Sequence, residues 1–239
     1  LVMAAAAVAI SLPALASAES LHASGISGTF DLRFGTWLPS IDSESSFGSK
    51  GPYETSFGGD SMFYFEGLSG HELYRGIGSA GVEFGLGWGG VSGKSSNADG
   101  QKTTDETNLR ILPVRLGAFY RFDWLQTRFN VPLVFAVDAG YANILWWANA
   151  TDGVADWANA SGTTFTGRGS TAGTYYGGTV YFLLDALAPS MAANFDGNSG
   201  VNNSYLFASY VSTQADDFGD KKSWDLSDDT ALFGIGFEY

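Results

Sequence analysis

The sequence contains no cysteine, which excludes a disulfide framework and a lipid anchor attached through a thiol. Basic residues are also scarce: 12 Lys and Arg stand against 25 Asp and Glu, for a net charge of −13. No stretch of the chain concentrates these basic residues into a patch. Nucleic acid is therefore not an expected partner.

Long apolar runs are missing after residue 18. The first 18 residues carry no charge and end in Ala16-Ser17-Ala18, the small-x-small pattern of a signal-peptidase site. We therefore predict a signal peptide over residues 1–18 and one mature domain over residues 19–239. The alternative is a membrane-spanning helix, which needs about 20 apolar residues and is disfavoured by the shorter run.

Glycine and aromatic residues are abundant, with 32 Gly, 18 Phe, 11 Tyr and 7 Trp. Average glycine usage is only about 7%. This combination is typical of many short strands with tight interior packing. The mean hydropathy is close to zero, as expected when each strand averages an apolar and a polar face.

Apolar residues recur at every second position in eight segments, which is the period of a strand with one apolar face. The segments are 29–38, 61–74, 79–91, 109–122, 131–147, 175–186, 204–213 and 230–239. Segment 61–74 has the weakest alternation, and segment 204–213 has aromatic residues on both faces. The registers of these two segments stay open.

In segment 61–74, Glu66 and Glu72 share the face opposite Phe63, Phe65 and Leu73. In the other seven segments, the charged residues of the strand cores fall opposite the apolar face. They are Asp31, Arg33, Glu83, Arg115, Arg121, Asp138, Asp185 and Glu238. Arg110 falls on the same face as the apolar residues of its segment, but it lies at the start of the segment, where its side chain can reach water. A basic side chain facing lipid costs about 2–4 kcal/mol at the bilayer midplane, so this segregation favours a membrane barrel with its charges inside.

An eight-stranded barrel has an interior just wide enough for side chains. The simplest interpretation of the inward charges is therefore a packed network of salt bridges that fills the lumen. The alternative is a path for protons or ions. Because the charges are buried, either arrangement requires them to be paired.

The predicted connections alternate in length. Segments 39–60, 93–108, 148–174 and 214–229 are long, 75–78 and 123–128 are short, and 187–203 is longer than a periplasmic turn and is expected to hold a small helix. Short periplasmic turns and long outer loops are typical of outer-membrane barrels. We predict an all-β fold: an eight-stranded, antiparallel, up-and-down transmembrane β-barrel with both termini in the periplasm.

Aromatic residues lie near the predicted strand ends, where girdles at the membrane interfaces would sit: Trp37, Trp88, Trp124, Trp146, Trp147 and Tyr239. Ordinary core packing is the alternative for each of them. In the last segment, Phe233, Ile235, Phe237 and Tyr239 share one face and end on an aromatic residue. We predict that this face is a signal for the barrel-assembly machinery.

The chain also resembles a known family in several stretches. They are residues 28–35 (GTFDLRFG), 112–123 (LPVRLGAFYRFD), 131–134 (VPLV), 144–147 (ILWW), 201–207 (VNNSYLF) and 225–227 (DLS). In these stretches it resembles the myxobacterial-type (deltaproteobacterial) outer-membrane β-barrel family, whose function is unassigned. The family commonly has a basic residue near Asp138 and an acidic one near Ser209, and this chain differs at both positions. The resemblance implies an outer-membrane location and a barrel fold, and it implies no catalytic residues.

Candidate chemistry is sparse, and no cofactor, metal or catalytic residue is expected. His71 lies near Ser69 and Glu72, but residues of opposite parity face opposite sides of a strand, so these three do not form a triad. Acidic residues are frequent in the long connections: Asp42, Glu44, Asp105, Glu106, Asp216, Asp217, Asp220, Asp225, Asp228 and Asp229. They would either bind divalent cations or form a solvated acidic surface.

The predicted function is that of an outer-membrane barrel with a largely filled lumen and a structural or surface-interaction role. Its expected partners are outer-membrane lipid, lipopolysaccharide and the assembly machinery. The first alternative is a narrow transporter or binding barrel for small hydrophobic molecules. The second alternative is a lipid-modifying outer-membrane enzyme.

Overall fold

The computed structural model describes residues 27–43, 51–96, 102–150, 153–154, 156–158, 164–187, 199–220 and 223–239. The predicted signal peptide lies outside these residues and stays a prediction. Most of segment 187–203, where a small helix was expected, lies outside them as well. In the described part of the chain, no helix combines the length and the apolar character needed to span a membrane.

Long strands account for most of the described residues. They are β1 Gly28–Trp37, β2 Met62–Gly76, β3 Gly78–Ser96, β4 Lys102–Phe122, β5 Leu133–Ala150, β6 Arg168–Leu183, β7 Asn203–Ala215 and β8 Asp228–Glu238. Each strand pairs antiparallel with the next, and β8 returns to pair with β1. The sheet therefore closes on itself as an eight-stranded up-and-down barrel, which confirms the predicted fold class.

Several strands are longer than the alternation predicted. β3 and β4 pair out to Ser96 and Lys102, whereas the pattern placed the start of the fourth strand at residue 109. β6 begins at Arg168 instead of residue 175. These extensions are polar, so the backbone ladder continues where the apolar alternation has already stopped. At its other end β6 stops at Leu183, and a 3-10 helix, Leu184–Ala186, replaces the predicted end of that strand.

Two of the three connections at the end of the barrel that holds Gly28 and Glu238 are short, and the third, residues 184–202, is longer. Only Ile77 separates β2 from β3, and Gly78 allows this turn because its φ of 91° suits glycine. Helix α2, Trp124–Phe129, lies between β4 and β5 where a plain turn was predicted. The opposite end carries the folded connection between β1 and β2 and the extended hairpin of β3 and β4. We call the two ends the short-turn end and the long-loop end.

The first long connection is folded against the barrel. It contains a 3-10 helix, Ser40–Ser43, and helix α1, Pro52–Phe57. The Asp42 carboxylate accepts hydrogen bonds from the backbone N–H groups of Tyr53 and Glu54, at 2.8 and 2.6 Å. These N–H groups have no partner inside the helix, so the carboxylate holds the start of α1 in place.

The two faces of the barrel wall differ in side-chain size. On β3 the inward face is almost entirely glycine: Gly81, Glu83, Gly85, Gly87 and Gly89. Glycine removes side-chain bulk from this wall, so long side chains on neighbouring strands can extend across it into the lumen. The outward face instead carries large apolar residues that are exposed on the isolated chain.

Candidate functional site: the charged lumen

Eight charged residues of the described part of the chain are buried in the lumen. They are Asp31, Arg33, Glu66, Glu83, Arg115, Arg121, Asp138 and Glu238. The structure thus places in the lumen all but one of the charged residues that the sequence pattern assigned there. The prediction for Asp185 is wrong, because this residue lies in the 3-10 helix after β6 and is only partly buried. Burial raises the pKa of Asp185, and a hydrogen bond with the backbone of Ser204 opposes that shift.

Glu66 is the residue that sequence reasoning left out, and it lies at the centre of the network. Its side chain is fully buried, and its Oε2 lies 3.2 Å from Arg115 Nη1 and 3.9 Å from Arg33 Nη1. Arg33 also contacts Asp31 at 3.4 Å. β3 lies between β2 and β4, and its glycines leave the space in which Glu66 and Arg115 meet. The position of Glu66 in the alternation indicated an inward side chain, but the alternation in its strand was too weak for Glu66 to be assigned to the charge network.

Three tyrosines on β6 and β7 donate hydrogen bonds to carboxylates that face the lumen from other strands. The hydroxyl of Tyr181 donates to Asp31 at 2.7 Å, that of Tyr175 donates to Glu83 at 2.6 Å, and that of Tyr205 donates to Glu238 at 2.9 Å. Nearest the short-turn end, Arg121 Nη2 lies 3.0 Å from Glu238 Oε1. The Arg121 guanidinium also lies over the rings of Tyr181 and Tyr205, at 4.4 and 5.2 Å. Aromatic rings and hydroxyls therefore replace much of the water that these charges would otherwise require.

The buried charges do not balance. Five carboxylates face three guanidiniums, and no carboxylate oxygen of Glu83 or Asp138 lies within 4 Å of an arginine nitrogen in the described part of the chain. Asp138 Oδ2 also has no hydrogen-bond partner among the residues that the structure describes. Both residues line a cavity of about 10 Å³, close to the smallest volume that holds one water molecule.

The half of the lumen nearest the long-loop end is filled by apolar side chains. The buried cluster contains Trp37, Ile41, Tyr53, Met62, Tyr64, Leu109, Ile111, Ala142, Ile144, Tyr175, Val211, Ala215, Leu226 and Leu232. The indole N–H of Trp37 donates to the carbonyl oxygen of Leu226 at 3.2 Å, which links the barrel wall to the last long connection. The lumen therefore consists of a polar half and an apolar half, and both are filled by side chains.

Two of the predicted girdle residues face inward. Trp37 is fully buried, and Trp146 stacks on Trp224 with ring centroids 4.0 Å apart, packed against the apolar cluster. Both residues have the same parity as the lumen charges on their own strands, so the alternation itself indicated this orientation. The girdle prediction is wrong for these two.

The other four predicted girdle residues lie on the outside or at the barrel ends. Trp88 and Trp147 pack edge to face, with centroids 5.4 Å apart, towards the long-loop end. Trp124 and Tyr239 lie at the short-turn end and are 40% and 36% exposed. Phe233 and Ile235 are also exposed on the outer face, and Phe237 is partly buried there. Their role as an assembly signal stays a prediction.

Ser69 and His71 lie on the outer face of β2, and Glu72 has the opposite parity. The Glu72 carboxylate is bonded to Arg75 at 2.6 Å. The three residues therefore do not form a nucleophile, base and orienting acid. The part of the chain that the structure describes has no group of three or more His, Asp or Glu arranged to hold a metal ion.

Several acidic residues of the long connections act as hydrogen-bond acceptors that fix the loops. Asp42 holds α1, as described above. Asp217 accepts from the backbone N–H of Ala172 at 2.6 Å, and Asp225 accepts from the backbone N–H of Ser227 at 3.0 Å. The Thr230 hydroxyl donates to Asp228. These acidic residues therefore stabilise the loop conformations, a role that was not among the two predicted for them, cation binding and a solvated surface.

A filled lumen predicts the electrical behaviour of the protein. Incorporated into planar bilayers, it is expected to show no large, steady open state, because side chains occupy both halves of the lumen. Single-channel recording with the purified protein measures this directly. Reproducible conductance of porin size would contradict the filled lumen and would favour the transporter alternative.

Comparison with known proteins gives structural likeness at low sequence identity. No protein-family model matches the chain, and no curated protein matches it. The chain is similar to the attachment invasion locus protein Ail of Yersinia pestis, solved with the heparin analogue sucrose octasulfate, at 12% identity over 90% of this chain and 97% of that one, with a TM-score of 0.46. It is also similar to Neisserial surface protein A, at 13% identity over 90% and 98% of the two chains, with a TM-score of 0.43.

A third similar structure is the N-terminal β-barrel domain of Pseudomonas aeruginosa OprF, at 14% identity over 90% of this chain and 99% of that one, with a TM-score of 0.39. These similarities are too low to support an argument about the present chain. The evidence that its barrel is closed with eight strands is its own strand pairing.

Proposed function

We propose that this protein is an integral β-barrel of the bacterial outer membrane, with a filled lumen and a structural or surface-interaction role. The observation that carries the proposal is the outer face of the closed barrel. Large apolar side chains cover it, for example Leu116, Val137 and Phe233, which are 61%, 60% and 61% exposed. A soluble protein rarely exposes so continuous an apolar surface, whereas lipid would cover it.

The height of the apolar belt supports the same proposal. On β4 the outward residues from Leu112 to Phe122 are Leu, Val, Leu, Ala, Tyr and Phe. At about 3.4 Å per residue and a tilt near 40°, this span covers about 25 Å, which is the height of the apolar band on outer-membrane barrels. Outward charges on β4 occur only beyond this span, at Arg110 and nearer the long-loop end.

The surface role is assigned to the long-loop end. β3 and β4 contain 19 and 21 residues, although about 9–11 residues suffice to cross a bilayer. Their paired ends therefore project beyond the membrane as a hairpin arm, residues 91–96 and 102–107. α1 packs on this arm at Gly93, where a Cβ atom would lie 2.2 Å from the carbonyl oxygen of Ser56. We infer that this ordered end faces the cell exterior, with the short-turn end in the periplasm.

The proposal includes export by the signal peptide over residues 1–18 and insertion by the barrel-assembly machinery. It also includes membership of the myxobacterial-type barrel family, supported by the sequence stretches alone. A non-enzymatic role is proposed because Ser69 and His71 face outward, away from the side of the strand that carries Glu72. Transport of hydrophobic molecules through the lumen is disfavoured because apolar side chains fill the half nearest the long loops.

Gel mobility tests the proposed barrel. The purified full-length protein is expected to migrate differently before and after boiling, because a closed ladder has no free edge from which detergent can open it. The same sample should float with lipid vesicles and give a strand-rich circular-dichroism spectrum. Identical migration, together with recovery in the aqueous fraction, would contradict the proposal.

A further inference from the structure

Two arginines and a tryptophan stand side by side on the outer face of three neighbouring strands. Arg110 on β4 pairs directly with Trp147 on β5, and Trp147 pairs directly with Arg168 on β6. Trp88 lies beside them, with its ring 5.9 Å from the Arg110 guanidinium carbon and 5.4 Å from the Trp147 ring. We call these four residues the arginine–tryptophan row.

Strand geometry fixes the spacing of the two arginines. Adjacent strands lie about 4.8 Å apart, so the backbones of Arg110 and Arg168 are separated by about 10 Å. Both side chains are exposed and have the outward parity of their strands. Guanidiniums at this separation, with an indole between them, can contact one phosphorylated headgroup from two sides.

On β4 and β5 the row lies at the boundary between the apolar belt and the polar strand ends, whereas on β6 the next outward residue towards the barrel centre is Ser170. Towards the barrel centre, the next outward pair is Leu112 with Leu145, which belongs to the belt. Towards the long-loop end, the next outward pair is Asn108 with Asn149. An amphipathic indole beside a cation at such a boundary suits the headgroup level of a bilayer.

Neither arginine has a counter-charge among the described residues, since no carboxylate there forms an ion pair with either guanidinium. This is unusual in a chain with a net charge of −13, where acidic residues outnumber basic ones about two to one. Two adjacent like charges without an acidic partner are complementary to an external anion. Both are arginine, whose planar fork suits the bidentate recognition of phosphate.

We propose that the arginine–tryptophan row binds the phosphate groups of lipid A, the membrane anchor of lipopolysaccharide. The inference rests on the proposed function, because it requires the long-loop end to lie in the outer leaflet. Arg110 and Arg168 pair with phosphate oxygens, and Trp88 and Trp147 contact the sugar and the first part of the acyl chains. The ligand is an anionic lipid held at the barrel wall, separate from the filled lumen.

The test uses the full-length protein in nanodiscs of phosphatidylcholine. Binding is measured by tryptophan fluorescence as lipid A, dephosphorylated lipid A or phosphatidylglycerol is added. The variant Arg110→Gln/Arg168→Gln is compared with Arg75→Gln/Arg128→Gln, which removes the same charge at the short-turn end. Heat-modifiability of each variant establishes that the barrel has formed.

The wild-type protein and the Arg75/Arg128 variant are expected to bind lipid A with similar affinity. The Arg110/Arg168 variant is expected to bind it at least about tenfold more weakly, given the strength of hydrogen bonds to charged groups. Dephosphorylated lipid A should bind all three proteins weakly. Equal lipid A affinity in the two variants would overturn the proposal, and so would phosphatidylglycerol binding as tightly as lipid A.

The experiment separates this inference from the proposed function. If the wild-type protein is heat-modifiable and inserts into the bilayer but does not bind lipid A, the row is not a lipid A site and the membrane barrel stands. If the protein neither inserts nor shows heat-modifiability, the proposed function fails first and the row has no headgroup to bind.

Discussion

Replacing Glu66 with glutamine is expected to lower the free energy of unfolding by about 3–5 kcal/mol, the usual cost of removing one partner of a buried ion pair. Glu66 is fully buried and is the carboxylate that Arg33 and Arg115 share. The neutral amide leaves two guanidiniums in the lumen with a weaker partner. Urea-induced unfolding in lipid vesicles measures the loss.

Two glutamine substitutions serve as matched controls for Glu66→Gln. Glu72 lies on the same strand and the same face, and its side chain is only 4% exposed, but its partner Arg75 is 44% exposed and stays in contact with water when the charge of Glu72 is removed. Glu72→Gln should therefore cost less than Glu66→Gln, about 1 kcal/mol. Glu83 is buried but has no arginine nitrogen of the described residues within 4 Å, and the lumen already holds an excess of carboxylates. Glu83→Gln should therefore destabilise the barrel far less than Glu66→Gln. Equal losses in all three variants would contradict the central role of Glu66.

Replacing Gly234 with alanine is expected to destabilise the barrel by about 3 kcal/mol, in the upper part of the usual range for overpacking. A Cβ atom at this position would lie 1.8 Å from the carbonyl oxygen of Leu32 and 2.7 Å from the ring of Phe207. The nearer atom belongs to the backbone of β1, so relief requires β1 and β8 to move apart where the barrel closes. The measurements are the heat-modifiable fraction after refolding and the urea midpoint.

Gly178→Ala is the matched control, because Gly178 lies on the outer face and its nearest neighbour, the carbonyl oxygen of Ala136, would be 3.9 Å from the new Cβ atom. This variant should refold like the wild-type protein and be as stable or slightly more stable, since alanine restricts the unfolded chain. If Gly178→Ala and Gly234→Ala lowered the free energy of unfolding equally, a general effect of alanine in strands would explain both losses. Close packing where β8 pairs with β1 would then not be the cause.

Much of the barrel could be predicted because side chains alternate strictly along a strand. The parity of Asp31, Arg33 and Asp138 placed them opposite the apolar face, and the structure places all three in the lumen. The same rule also applied to Trp37 and Trp146, whose positions near strand ends suggested girdles instead. For those residues parity was the better guide, since position along a strand does not say which face a side chain occupies.

Strand ends could not be predicted in the same way. The alternation of apolar and polar residues stops at the edge of the apolar belt, but the backbone hydrogen bonds between β3 and β4 continue to Ser96 and Lys102. Asp185 shows the reverse case: parity placed it inward, but the chain leaves the sheet after Leu183 and turns into a 3-10 helix. Backbone pairing in both cases depends on the neighbouring strand, which a single-strand pattern does not contain.

The sequence by itself determined that there are eight strands and which face of most of them is apolar, because a two-residue period follows from the geometry of one strand. Only the tertiary structure decided which inward charges meet. Glu66 and Asp138 both face the lumen, but Glu66 reaches Arg33 and Arg115 while Asp138 has no ion pair within 4 Å in the described residues. Contacts across the lumen depend on the register of all eight strands around the closed barrel, and that register exists only once β8 has paired with β1.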